Sequence, residues 1–393
     1  MIVFQVLRRD VFLKIVRINH KGWGRHNSMI VKKIGRTLIW IVAACNVLVV
    51  MGMLVCAYSD HLNPESYPVL SISGLFFPII LVVNIMFLIL WSLFYWKGLL
   101  IPILGLIACF PAIRLYYPIN AKNEIPDGSI KVMSYNVLMF APWELEKGTP
   151  NPIVEFIMDS DADIVCLQEA NPSEAGGEAL ERKFKARYPY YDVTKKAGGE
   201  SLTICSKFPI LSKDTMDICS TGNMSVAYVL DINGDKTLVI NNHLETVGLS
   251  FEEKDDFEKM VNREMAEYEA KAASRSLIRK LIEANKRRAS QADVIAQVIA
   301  EYRAKGYSVM VFGDFNDTPL SYTFRTIGKG LIDAFSSSGR GLGYTYQKNG
   351  MNVRIDHILC SDDWTPYGAH VNKEIYNSDH FPVICWLKKQ AKQ

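Results

Sequence analysis

No Cys-x-x-Cys pair occurs in the 393 residues, and the eight cysteines follow no secreted-scaffold spacing. That argues against a thiolate zinc site and against a disulfide framework. Cys45, Cys56 and Cys109 fall in apolar segments, Cys166, Cys205, Cys360 and Cys385 in strand-like runs, and only Cys219 in a loop-like stretch, so they read as buried thiols. Positive charge is also short where a non-specific grip on nucleic acid would need it. Residues 1–117 hold eleven Lys and Arg against three acids, which leaves 33 basic and 38 acidic residues for 118–393. Charge is missing altogether from Thr37 to Tyr58 and from Val69 to Tyr95.

Each of those two uncharged runs is long enough to cross a hydrocarbon core of ~30 Å at about 1.5 Å per residue. A polar loop, Asp60 to Pro68, joins them, and Trp91, Tyr95 and Trp96 mark an interface. Leu99 to Ile113 is apolar but holds Pro102, Gly105 and Pro111 before Arg114, Tyr116 and Tyr117. It reads as a third, shorter span over 99–117, or as a re-entrant segment. Ahead of the spans, residues 1–36 carry nine Lys and Arg against the single acid Asp10, with VFLKIVRI as a short interfacial helix. A translation start at Met29 is the alternative, and the residues before it would then not be native sequence. With the basic end in the cytoplasm, three spans put everything after Tyr117 outside it, whereas two would put it inside. The apolar segments are too many and too long for a cleavable leader.

The expected organisation is therefore a basic segment (1–36), an all-α transmembrane region of about three helices (37–58, 69–95, 99–117), a polar linker (118–128) and a catalytic-type domain (129–390). From Ser129 the pattern changes to short β-branched runs, with strands expected near 130–138, 163–168, 202–206, 225–232, 236–242, 308–313, 353–360 and 382–387. A hairpin signal at Asn233-Gly234 argues for mixed rather than purely parallel sheets. Phe251 to Arg303, rich in Ala, Glu, Lys and Arg, reads as two or more helices forming a solvated face or docking element. A lid or a membrane-surface contact is the lesser reading.

The chemistry centres on SVMVFGDFNDTP, Ser308 to Pro319. The apolar run Val309 to Phe312 suits a strand buried on both faces, Gly313 permits a sharp turn, and Asp314 and Asn316 alternate around Phe315. Asp, Asn, Gly and Pro are also ordinary turn formers, so the case rests on other strand ends doing the same. MSYNV delivers Asn136, IVCLQEA delivers Gln168 and Glu169, VINNHLE delivers His243, and NSDHFPV delivers Ser378, Asp379 and His380. This set of carboxylates, amides and imidazoles without thiolate suits a hard cation such as Mg²⁺, with Glu169 the first choice of ligand. In RIDHI, Asp356 is placed to hold and charge-stabilise an imidazole. Within GYTYQKNGMNVRIDH, Tyr346, Lys348 and Arg354 are candidates to line the cleft, Tyr346 being equally suited to packing.

The series SYNV, LQEA, NHLE, GDFND, RIDHI and SDHFPV, in that order over 129–390, resembles the endonuclease/exonuclease/phosphatase superfamily of deoxyribonuclease-I-like, metal-dependent phosphohydrolases. The resemblance implies an α/β fold, a four-layer α/β/β/α sandwich of two mixed sheets with the active site at one end. It implies Asn136 and Glu169 as ligands of a divalent metal, Mg²⁺ or Mn²⁺, with Asp379 a further ligand. Asp314 matches the group that orients or deprotonates the attacking water, and Asn316 a phosphate contact. His380, backed by Asp356, would bind the scissile group, and His243 would assist the phosphate or leaving group. The expected activity is hydrolysis of a phosphoester, as a phosphodiesterase or phosphatase, on a lipid headgroup, a nucleic acid or a small molecule. A nuclease acting on DNA or RNA is the alternative, and a non-catalytic membrane-tethered scaffold is the reading from another class.

Overall fold

We describe a computed structural model over residues 25–144, 149–197, 199–220, 222–348 and 351–390. The expected VFLKIVRI helix and most of the basic segment lie outside these residues. Two compact units emerge: one is Met1–Tyr58 with Ser73–Ala112, the other Ser59–Ile72 with Ile113–Gln393.

The helices of the first part are α1 (Arg25–Ala57), α2 (Pro68–Ser71), α3 (Phe77–Phe94), α4 (Leu100–Ala108) and α5 (Phe110–Tyr116). Lys32–Ala57 and Pro68–Phe94 are long and apolar enough to cross a membrane, and Trp96–Ala108 with Phe110–Tyr116 makes a third candidate if that pair, bent by 60°, counts as one span. Pro111, which has no amide hydrogen to donate, sits in the first turn after the bend. Inside the first unit, three polar side chains replace apolar packing. Trp91 Nε1 donates to Asn46 Oδ1 at 2.9 Å, Asn46 Nδ2 to Asn84 Oδ1 at 3.3 Å, and Asn84 Nδ2 to the Pro102 carbonyl at 3.2 Å. In a setting without water each donor needs such a partner, and the chain of bonds ties α1, α3 and α4 together.

The second unit is built on fourteen strands: β1 (Ile130–Asn136), β2 (Ile164–Gln168), β3 (Tyr190–Lys195), β4 (Ser201–Ser206), β5 (Ile210–Met216), β6 (Met224–Ile232), β7 (Asp235–His243), β8 (Ser308–Asp314), β9 (Leu331–Asp333), β10 (Tyr346–Lys348), β11 (Met351–Val353), β12 (Asp356–Ser361), β13 (Trp364–Val371) and β14 (Val383–Lys389). One six-stranded sheet runs β13-β14-β1-β2-β4-β3 and another β5-β6-β7-β8-β12-β9, with β10 and β11 a separate ribbon. Both large sheets are mixed, since β1 and β2 run parallel, as do β7 and β8, among antiparallel neighbours. The helices of this unit are α6 (Pro152–Asp159), α7 (Pro172–Arg187), α8 (Phe251–Val261), α9 (Glu267–Ala304), α10 (Tyr322–Ile327) and α11 (Ala334–Ser338).

Alternation along the central strands sorts side chains into three apolar layers. Val132, Ile164 and Ile204 of the first sheet meet Tyr228, Val239, Met310 and Phe312 of the second in the middle. Met133 and Val165 turn outward to Ile153 and Ile157 of α6 and Phe184 of α7. Leu238, Val309 and Val311 turn outward to Ala292, Ile295 and Ile299 of α9 and Phe324 of α10. The result is the expected α/β/β/α sandwich.

Strands β3, β5, β9, β10, β11 and β13 escape sequence patterning. Most of β5, ILSKDTM, is exposed, so pairing to β6 rather than burial holds it in place. All eight cysteines remain thiols, six buried as expected, while Cys45 and Cys219 are exposed. The segment Ser59–Ile72 packs on the sandwich: Ser59 Oγ donates to the Leu320 carbonyl at 3.0 Å, Arg325 meets Asp60 at 3.4 Å, and Asn285 Nδ2 donates to Ser71 Oγ at 2.9 Å.

Candidate active site

Because β1 and β2 are parallel, as are β7 and β8, the carboxyl ends of each pair fall together, and Asn136, Glu169, His243 and Asp314 emerge from them. His243 lies in register with Asp314, and Asp356, at the start of antiparallel β12, lies opposite it. Gly313 makes this possible. Its φ is +133°, and a Cβ there would lie 2.0 Å from the Asn242 carbonyl oxygen, so no other residue lets β8 approach β7 so closely.

Asp314 is the centre. Its Oδ2 accepts from Asn136 Nδ2 at 3.2 Å and lies 3.6 Å from His380 Nε2 and 3.8 Å from His243 Nε2, while Oδ1 accepts from the Asn316 amide at 2.8 Å. Each imidazole is held from behind: His380 Nδ1 bonds Asp356 Oδ2 at 2.8 Å and His243 Nδ1 bonds Glu200 Oε2 at 2.9 Å. In each ring Nδ1–H donates to the carboxylate and Nε2 is turned toward Asp314. Asn136 Nδ2 also donates to Glu169 Oε1 at 3.1 Å, and Asn316 Nδ2 donates to the Leu244 carbonyl at 3.0 Å. The ring of Tyr346 stands edge-on to His380 with centroids 5.0 Å apart.

Burial opposes a charged imidazole most, yet the neighbouring carboxylates prevail. Glu200, Asp314 and Glu169 hold His243 up to about 10, and Asp356 and Asp314, helped by Asp379, hold His380 up to about 10. Burial and the Asp356 charge push Asp314 up to about 6 against the pull of the two histidines. Two imidazolium groups thus face Asp314, where a phosphate's negative charge would be welcome.

Seven of the eight expected site residues come together. Asp379 is the exception: it is half-buried and acts on Tyr135, Tyr346 and His380 only through its charge, outside the group of meeting atoms. Arg354, expected in the cleft, is instead buried against Asp333 at 3.4 Å with its other arm on the Leu115 carbonyl, and Lys348 is exposed. The sequence reading missed Glu200. It precedes β4 in a stretch with no polar alternation, and only the pairing of sheets brings it to His243.

The donor chemistry is compatible with a hard cation. Ligand atoms of Asp314, Asp356 and His380 lie within 4.8 Å of one another, and Asp356 Oδ1 is buried without a hydrogen-bond partner among the described residues. Asp356 and His380 are, however, already spent on each other. Glu169, with φ +50° and its side chain 28% exposed, is the carboxylate open to a hydrated ion beside Asn136.

Residues 133–380 match the model of the Endonuclease/Exonuclease/phosphatase family. The chain belongs to that family. Its members are hydrolases acting on phosphoester bonds, generally with divalent metals. Residues 36–116 match a domain of unknown function (DUF8431). No curated protein matches the chain. Among solved structures, a Bacteroides thetaiotaomicron mannosyl-6-phosphatase is 19% identical, covering 66% of this chain and 100% of its own, with a TM-score of 0.46. The human nocturnin catalytic domain with bound sulfate is 16% identical over 68% of this chain and 96% of its own (TM-score 0.48). A D. rerio TDP2 complexed with single-strand DNA product is 16% identical over 67% of this chain and all of its own (TM-score 0.47).

Beside the family site, His357 is buried between Phe315 and Phe324, with Nε2–H donating to the Asp317 carbonyl at 3.0 Å and Nδ1 without a partner among the described residues. Burial, then the Arg354 charge, pulls it down to about 4. Its unfolded value near 6.5 lies above the folded one, so the stability it leaves intact above pH ~6.5 is lost as pH falls toward 4, amounting to about 3 kcal/mol. His357→Gln should flatten that part of the acid-unfolding curve measured by circular dichroism, and an unchanged curve would refute the assignment.

Proposed function

We propose that this chain is a membrane-anchored, Mg²⁺-dependent phosphoester hydrolase, a phosphodiesterase or phosphatase, in which water attacks phosphorus in line. The observation that carries the reading is the meeting of Asp314 with two carboxylate-backed histidines and the Asn136–Glu169 pair at one end of the sandwich. Asp314 orients the water and accepts its proton, a role suited to a carboxylate held near neutral by burial. His380, fixed by Asp356, places positive charge on the non-bridging oxygens as they gain charge. His243, fixed by Glu200, stands across Asp314 and donates to phosphate or leaving oxygen, and Asn316 adds an amide contact. A divalent ion held by Asn136 and Glu169 would supply charge neutralisation on the phosphate, with Asp379, outside the group of meeting atoms, adding only its charge. The catalytic domain is taken as 129–390, after the linker 118–128.

Multi-pass insertion with the domain outside the cytoplasm is part of the proposal. Its support is that Ser59–Ile72, which joins the first two candidate spans, packs in the catalytic unit. Loop and domain then share one side of the bilayer, which requires Trp96–Tyr116 to complete a third crossing.

The test uses the full chain in lipid nanodiscs, given short-chain phospholipids, sugar phosphates, plasmid DNA and RNA, each with Mg²⁺ and with chelator. Metal-dependent release from a phospholipid or sugar phosphate is expected. Cleavage confined to DNA or RNA would establish the nuclease alternative instead, and no hydrolysis of any substrate would leave a binding scaffold.

A further inference from the structure

The long helix α9 changes its surroundings at Asn285. C-terminal to that point, one side of it packs on the sandwich and on Ser59–Ile72: Asn285 bonds Ser71, Asp293 accepts from Tyr322 Oη at 3.3 Å, and Ala289 between them is buried. N-terminal to it, the same side carries Arg275, Ile278, Arg279, Ile282 and Lys286, spaced by three and four residues so that they form one stripe. Helix α8 takes the other side, through Lys280 to Glu253 and Ser274 to Met260, and leaves the stripe uncovered. Ile278 is 42% exposed, and among the described residues no carboxylate pairs with Arg275 or Arg279. Lys286 meets Glu283 only at 3.9 Å.

The anchor of this stripe says what covers it. Ser71 lies in the first turn of the candidate span Pro68–Phe94, so Asn285 holds α9 against the residues with which that span begins, beside Val69 and Leu70, which are 62% and 46% exposed. We infer that the Arg275–Lys286 face of α9 lies on the bilayer surface and binds anionic lipid headgroups. Isoleucine side chains enter the acyl boundary while arginine stems lie along it and their guanidinium groups pair with phosphate. The inference rests on the membrane reading above, and it supplies a second attachment that fixes the catalytic unit over the lipid it stands on.

Hydrogen exchange of the full chain in nanodiscs tests it, comparing phosphatidylcholine alone with phosphatidylcholine plus phosphatidylglycerol. Since each basic residue adds to the attraction of an anionic surface, amides of 271–286 should exchange at least roughly tenfold more slowly in the anionic discs. The double variant Arg275→Glu, Arg279→Glu should abolish the difference, while hydrolysis of a soluble phosphoester in detergent stays unchanged. Equal exchange in both discs, or a difference that survives the double variant, overturns the inference while leaving the membrane reading intact. Protection by a single-stranded oligonucleotide and not by lipid overturns it in favour of nucleic acid. A chain that never partitions into discs overturns the membrane reading and this one together.

Discussion

Asp314→Asn is expected to lower kcat for phosphoester hydrolysis by roughly 10³-fold with the fold intact. The substitution keeps shape and keeps an acceptor for the Asn316 amide, so unfolding temperature should move little. It removes the charge that both imidazoles face at 3.6 and 3.8 Å, and with it the proposed base for the attacking water. His380 and His243 should also titrate lower, since Asp314 is one of the charges that raise them. Turnover within about tenfold of the parent, in protein with a parental melting curve, would remove Asp314 from the chemistry.

Arg288→Ala should cost about 3–5 kcal/mol of stability, the largest loss of the substitutions considered. Arg288 is 3% exposed, its Nε donates to Asp317 Oδ2 at 3.2 Å and a terminal nitrogen to the Glu245 carbonyl at 3.0 Å. Removing it strands a buried carboxylate next to Asn316 and loosens the turn just after His243, so activity should fall along with stability. The neighbouring Arg287→Ala is the control. Arg287, its side chain 64% exposed, meets Glu245 at 2.8 Å, and Glu245 keeps Ser220 and Gln291 as partners when Arg287 is removed, so the loss should be about 1 kcal/mol or less. Denaturant unfolding of both variants decides the matter, and equal losses would mean that the Arg288 pair is not special.

Much of this was legible in the letters because the site hangs on strand ends. A buried strand announces itself as an apolar run, and Asn136, Glu169, His243 and Asp314 follow such runs while His380 just precedes one, so their convergence could be read from order and type. Glu200 could not, because it acts through a contact across the sheet that leaves no local periodicity. Arg354 misled for the complementary reason. A basic residue beside RIDHI suits a phosphate contact, but its neighbour in space, Asp333, comes from a strand of three residues that patterning does not see. Strand β5 was invisible because pairing, not burial, determines it. The packing of Ser59–Ile72 on α9 and α10 was likewise beyond reach, since a polar loop between apolar runs reads as exposed.

That packing bears on how the enzyme is made. The catalytic unit is stitched from two lengths of chain with Ser73–Ala112 threaded between them. During synthesis Ser59–Ile72 emerges first and must wait for Leu320, Arg325 and Asn285 before Ser59, Asp60 and Ser71 find their partners. A fragment begun at residue 118 would therefore start life with an open seam along α9 and α10, and the unit would reach its finished form only when the missing piece is supplied.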